Sequence, residues 1–194
     1  MKQEIIIRKQ EDFKVSQWSG GDTTELYLYP EEGSYKGGDF MVRISSATVE
    51  TEKSDFTSLP GVKRYLMIFQ GHLDMIHGQE KKVSLEPYEV DEFDGGVPTT
   101  SFGQVVDFNL MLKNKARGKM EALCLEPGEE REICPQPGEN FLAVYVKEGQ
   151  AVVQGKTVQE NQLALLFGWE DKVRIENPGE AESKMGVCRV GLPV

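Results

Sequence analysis

No stretch of this 194-residue chain keeps apolar residues at i, i+3, i+4 and i+7 for three turns without a Gly or Pro breaking the pattern. That excludes a helical core. What remains is a succession of short runs rich in β-branched and aromatic residues. In the first half these are EIIIR (4–8), ELYLY (25–29), DFMVRISSATVE (39–50), RYLMIF (64–69), LDMIH (73–77), KKVSL (81–85) and VVDFNLML (105–112). Clusters such as PEEGSYKGGD and EFDGGVPTT separate them, and Gly, Pro, Asp and Asn are the residues that close strands into turns. The second half continues in the same style with KMEALCL, NFLAVYV, QAVVQ, KTVQE, QLALLF, KVRIEN and SKMGVCRV. The expected fold class is all-β.

Two segments can be laid on one another. Residues 65–90, YLMIFQGHLDMIHGQEKKVSLEPYEV, align with residues 141–166, FLAVYVKEGQAVVQGKTVQENQLALL. Each reads strand, Gly-containing turn, strand, short strand, acidic turn and strand again. A spacing near 76 residues is too long for a solenoid unit. It fits two related β-sandwich or jelly-roll halves, each closing its sheets to hide strand edges. The polar, basic stretch KNKARGK (113–119) is the natural break, which gives expected domains at 1–112 and 119–194.

Charge narrows the range of partners. With 32 acidic against 22 basic residues, and a formal charge of −10, neither nucleic acid nor an anionic membrane is expected, since both require a basic surface. Apolar runs reach about five residues, well short of the roughly 20 of a spanning helix. The opening MKQEIIIRKQEDF lacks the apolar core of a signal peptide. Cys124, Cys134 and Cys188 are an odd number in a long chain. Free thiols in a reducing cytosol are expected, with a Cys124–Cys134 disulfide as the alternative. A cytoplasmic location follows from that expectation.

The run VVDFNLML places an acid and an amide inside an apolar strand. Side chains alternate between the faces of a strand, so Val106, Phe108, Leu110 and Leu112 share one face, and Val105, Asp107, Asn109 and Met111 the other. In DFMVRISSATVE, Phe40, Val42 and Ile44 form an apolar face opposite Arg43, Ser45 and Ala47. Both strands have one apolar and one polar side. An unpaired buried carboxylate is costly, so the economical account turns both polar sides into one interior and pairs Arg43 with Asp107, with Ser45 and Asn109 beside them. Breaking such a pair from one side typically costs about 3–5 kcal/mol. The pair is read either as a structural ion pair or as part of a ligand site, because a guanidinium can satisfy one carboxylate and still bind another.

Other candidates are local. In QWSGGDTTE (17–25), Gly20 and Gly21 permit close backbone approach, Trp18 offers a flat apolar cap with one N–H, and Thr23 and Thr24 offer hydroxyls. The alternative is a plain turn with Trp18 in the core. The block lacks the Gly-Lys-Ser/Thr ending of a phosphate loop. Arg64 opens a strand as a rim cation or the partner of a surface acid. His72 and His77, the two histidines, point to opposite faces of one strand, so no metal centre is expected. His77 reads either as a structural histidine or as a hydrogen-bonding group at a pocket mouth.

The blocks QWSGGDTTELYLYP (17–30), FMVRISSATVE (40–50), DFTSLPGVKRYLMIFQG (55–71), FDGGVPTTSFG (93–103) and VVDFNLML fall in an order that resembles the HutD/Ves family of bicupin-like proteins. The resemblance covers about residues 15–112 and implies two jelly-roll or β-barrel halves in one chain. It also implies a non-catalytic small-molecule binder, a regulator linked to histidine utilisation, with urocanate or formylglutamate as the polar carboxylate. Trp18, Thr24, Arg43, Ser45, Arg64, His77, Asp107 and Asn109 are the candidate ligand-binding residues, with no cofactor. The alternatives are a metal-independent cupin-type isomerase or lyase using Asp107 or His77 as base, and a structural bicupin with a packed lumen. Gly96 and Val97 depart from the family's Phe-x-Gly-Asp-Trp pattern, and Asp22 stands where relatives carry Thr or Gly.

Overall fold

The structure is a computed structural model that describes residues 5–193. β1 (Ile5–Arg8) opens it and is followed by one 3-10 turn, Gln10–Asp12. Then come β2 (Lys14–Trp18), β3 (Gly21–Tyr29), β4 (Val42–Val49), β5 (Lys53–Asp55) and β6 (Lys63–Gln70). They are followed by β7 (Leu73–His77), β8 (Lys81–Leu85), β9 (Val90–Asp94), β10 (Thr99–Phe102) and β11 (Val105–Leu112). The remaining strands are β12 (Arg117–Leu125), β13 (Glu130–Ile133), β14 (Phe141–Glu148), β15 (Gln150–Val153), β16 (Lys156–Gln159), β17 (Leu163–Phe167), β18 (Val173–Glu176) and β19 (Ser183–Gly191). Among the described residues there is no α-helix, as the missing helical periodicity requires. No helix there is long and apolar enough to cross a membrane.

The described residues divide into two compact units, one of Phe13–Ala116 and one of residues 117–193 together with residues 5–12. In the first, a six-stranded sheet β2-β3-β4-β11-β6-β9 accompanies a four-stranded sheet β5-β10-β7-β8. Leu66 and Ile68 of the large sheet meet Leu73, Met75 and Leu85 of the small one, with Phe93 and Val105 completing the cluster. Fully burying a side chain of this size contributes roughly 1.5–3 kcal/mol. In the second unit, the sheet β1-β17-β14-β19-β12 accompanies β13-β18-β15-β16. Its core runs from Leu142, Val144 and Val187 across to Ala151, Val158, Val173 and Ile175.

The two units share an order of eight strands. The set β4-β11-β6-β9 matches β12-β19-β14-β17, and β5-β10-β7-β8 matches β13-β18-β15-β16. The two segments that align in sequence are β6 to β9 and β14 to β17. Each unit then adds something of its own: β3 and β2 extend beyond β4 in one, and β1 lies beside β17 in the other.

That last pairing departs from the expected 1–112 unit. The break itself falls within 113–119, but Ile5–Arg8 hydrogen-bonds Leu163–Leu166, and Ile5 joins the core of the second unit. Three apolar residues in EIIIR make a strand in either unit, and only the position of an open sheet edge decides between them.

Because Ile5 is buried among the second unit's core residues, Ile5→Ala should cost about 2–4 kcal/mol in urea unfolding. Amide exchange should speed up first at Leu163–Phe167. Unchanged protection there would contradict the pairing.

Candidate functional site

The antiparallel registers of the six-stranded sheet arrange its interior side chains in three cross-strand rows. Thr23, Ala47, Asp107 and Ile68 form one row. Glu25, Ser45, Asn109, Leu66 and Asp91 form the next. Leu28, Arg43, Met111, Arg64 and Phe93 form the third. The polar faces of β4 and β11 do look into one interior, as their alternation requires.

A cavity of about 330 Å³ opens over the polar end of these rows. Of the residues singled out in sequence, Trp18, Arg43, Ser45, Arg64, Asp107 and Asn109 line it. Thr24 does not. It is paired with Val15 and Ser46, one residue out of phase with the interior row, and its neighbour Thr23 lines the cavity instead. Trp18 stands at the rim, 41% exposed, with its ring folded over Gly20, where any Cβ would run into it. Gly21, at φ +144°, brings the backbone so close to the Thr48 carbonyl that no side chain fits. Gly96, Val97 and Asp22 lie outside the cavity lining.

His77 is not at the cavity either. Its Nδ1 is 2.8 Å from Thr99 Oγ1 and its Nε2 2.8 Å from Asp91 Oδ2, all three residues being buried. It ties β7, β10 and β9 together and packs on Phe93, with ring centroids 4.5 Å apart. Among the described residues, no group of three or more His, Cys, Asp and Glu side chains is arranged to hold a metal ion.

The expected Arg43–Asp107 pair is absent. Arg43 Nε donates to Glu25 Oε2 at 3.0 Å and Nη1 to Ser45 Oγ at 3.0 Å, and the guanidinium lies 4.0 Å over the Tyr35 ring. The reason is register. Arg43 sits opposite Met111 and Asp107 opposite Ala47, four residues or roughly 13 Å apart along the strand. A register irregularity between Glu25 and Tyr27 leaves Glu25 diagonal to Arg43. Glu25 and Tyr35 are functional neighbours that the sequence reading missed. Thr23 and Glu25 at alternating positions were the signal for a third polar strand face.

Asp107 is held differently. Its Oδ1 accepts the Ala47 N–H at 3.0 Å, and no cation lies within salt-bridge distance of it among the described residues. Burial, at 7% exposure, pushes its carboxyl up to about 7. The Ala47 N–H, the charges of Arg64 and Arg43, and a hydrogen bond from Asn109 offset part of that rise. Arg64 is the other buried charge. Its Nη2 donates to Asn109 Oδ1 at 3.1 Å, and the guanidinium stacks 4.6 Å from Phe56 and 5.2 Å from Phe93. Burial lowers its pKa to about 10, so it remains a cation at neutral pH. Arg64 has no carboxylate partner within salt-bridge distance among the described residues, and its Nε is buried without a hydrogen bond.

The second unit has a cavity at the corresponding place in its repeat, about 420 Å³, lined by Glu121, Cys134, Val187 and Arg189 among others. Arg189 faces Leu142 as Asn109 faces Leu66, and Val187 faces Val144 as Asp107 faces Ile68. Here the cation is already engaged. Arg189 Nε and Nη2 donate to Glu139 Oε2 at 3.0 and 2.7 Å, Nη2 to the Cys134 carbonyl at 2.6 Å, and Nη1 to Glu121 Oε1 at 3.5 Å. All three cysteines are free.

The pH behaviour of Asp107 follows from its surroundings. Its folded pKa, near 7, lies above the unfolded value of about 4. The native state therefore binds more protons between those limits, and stability from this group is complete below about pH 4 and lost as pH rises through 7. Without a salt bridge to break, Asp107→Asn does not carry the penalty of an orphaned charge. In urea unfolding from pH 4 to 8, Asp107→Asn should gain on the wild type by up to roughly 4 kcal/mol. A difference independent of pH would contradict this.

The HutD family profile matches residues 10–185. No curated protein sequence matches the chain. Among solved structures, the chain is similar to a conserved protein of unknown function from Pseudomonas aeruginosa. The TM-score is 0.81 at 17% identity, covering 97% of this chain and 100% of the other. HutD from Pseudomonas fluorescens (formate condition) gives 0.72 at 17% identity, covering 96% and 99%. The bacterial pirin YhhW from Escherichia coli, in complex with nickel(II), gives 0.73 at 10% identity, covering 98% and 100%. Identities this low speak for the fold alone, an all-β architecture of cupin-like kind. The family match covers most of the sequence, from the turn before β2 into β19: this chain belongs to the HutD family.

Proposed function

We propose that the cavity of Phe13–Ala116 binds a small polar carboxylate and that the protein is a non-catalytic binder acting as a regulator of histidine utilisation in the cytoplasm. Urocanate and formylglutamate are the candidate ligands. In this reading the two units are the two barrels of a bicupin, and the first carries the site. The observation that carries the proposal is Arg64, a buried cation lining the cavity, with no counter-carboxylate within salt-bridge distance among the described residues and an Nε lacking a hydrogen bond. A buried guanidinium left in that state is costly, and a carboxylate supplies the bidentate acceptor it lacks. Arg43 plays a lesser part, since Glu25 already occupies one edge of it. Ser45, Asn109 and the rim Trp18 supply hydrogen bonds and an apolar wall.

A second reading has support of its own. A carboxyl titrating near 7 inside a cavity is suited to general acid–base chemistry, so a metal-independent isomerase or lyase with Asp107 as base is the alternative. The two separate on turnover.

A carboxylate at a hundredfold excess over its dissociation constant should stabilise the wild type by about 2.7 kcal/mol. Thermal melts with urocanate, formylglutamate and their amides should show the shift for the acids alone, and Arg64→Met should lose it. The ligand should be recovered unchanged by NMR. An undiminished shift in Arg64→Met would refute the site, and a changed ligand would select the enzyme.

A further inference from the structure

Arg64, Asn109 and Asp107 line one cavity. Arg64 donates to Asn109 Oδ1 at 3.1 Å, and Asp107 stands two residues from Asn109 on the same face of β11. The acid thus sits in the same cavity as the cation that an incoming anion would occupy. The charged or titratable groups around it are Arg43 from β4, Arg64 from β6, Asp55 from β5, and Lys36 and Tyr35 from the loop after β3, with Glu25 holding Arg43. Lys36 makes no ion pair with Asp107, and Asp55, an acid like Asp107, accepts the Thr100 hydroxyl at 2.6 Å. On β3 and β6 the row neighbours of Asp107 are Thr23 and Ile68, neither of which titrates near neutrality.

We infer that the cavity takes up its carboxylate together with one proton, which Asp107 holds, so that a neutral Asp107 donates a hydrogen bond to the bound anion. The inference rests on the carboxylate-binding reading and goes beyond it. An anion on Arg64 cancels the positive charge that, after the Ala47 N–H, does most to keep Asp107 ionised. It also brings a second negative charge into the same desolvated space. Two carboxylates in one desolvated cavity repel each other, and one proton shared between them relieves the repulsion. Arg64, buried and still cationic at neutral pH, keeps the ligand as the ionised partner and Asp107 as the acid. The cavity therefore selects a monoanion with an oxygen free to accept a hydrogen bond, and holds it more tightly as pH falls.

The proton balance is directly measurable. Formate, with a carboxylic pKa near 4, stays anionic throughout and serves as the probe. Titration calorimetry in phosphate and in Tris at pH 8 should show an observed enthalpy that varies with the buffer by nearly one proton per formate. At pH 5.5 the uptake should approach zero. The dissociation constant should be flat below pH 6 and weaken about tenfold per pH unit above 7. Asp107→Asn, which keeps an acceptor for the Ala47 N–H, should bind formate without that slope. Binding with no proton uptake at pH 8 would overturn the inference while leaving the carboxylate site intact, as would a slope that survives in Asp107→Asn. No formate binding at any pH would overturn the carboxylate site, and this inference with it. If Asp107→Asn fails to fold, the wild-type buffer comparison decides alone.

Discussion

Of the ionisable side chains buried on the interior face of one sheet, three line the cavity, Arg43, Arg64 and Asp107, and the packing around them answers to that constraint. Desolvation of an ion costs several kcal/mol after relaxation, so each group needs a local answer. Arg43 has Glu25, Ser45 and the Tyr35 ring. Arg64 has Asn109 and two aromatic faces. Asp107 has one backbone N–H, the Asn109 amide and a raised pKa. Of the three, only Arg43 is neutralised by a partner's opposite charge. The other two are eased by dipoles, ring faces and proton uptake, which stabilise less than a close counter-charge. That incomplete satisfaction, beside open volume, is the ground on which the cavity is proposed as a binding site.

The second unit shows the alternative outcome on the same strand order. At the position equivalent to Asn109 stands Arg189, and its donors are taken up by Glu139, Glu121 and the Cys134 carbonyl. A guanidinium already matched by internal carboxylates has little to gain from an external one. The two cavities are similar in size but different in what they leave unmet. Shared topology therefore does not imply shared chemistry, because the two units differ in which buried polar groups remain unsatisfied.

His77 illustrates how a chemically versatile residue is removed from consideration. Both ring nitrogens are engaged, by Thr99 and Asp91, in a buried network linking three strands. Sequence placed it correctly on the face of Leu73 and Met75, and both of those residues belong to the core. Nothing in its neighbourhood along the chain announced Thr99 or Asp91 as partners, since these lie 22 and 14 residues away.

Periodicity and turn residues alone were enough for an all-β chain, for the two aligned segments, and for the face each side chain takes on β4 and β11. These are local properties: a strand alternates with period two whatever it pairs with. Which residue meets which across strands is not local. The meeting of Arg43 with Glu25, the separation of Arg43 from Asp107, and the choice of Thr23 over Thr24 all depend on register and on one irregularity in β3. The capture of Ile5–Arg8 by the far unit depends on where a sheet edge was left open. Shifting a strand by one residue exchanges its two faces, and by two residues moves every partner along one row. Only the assembled sheet, through its turns and packing, fixes that choice.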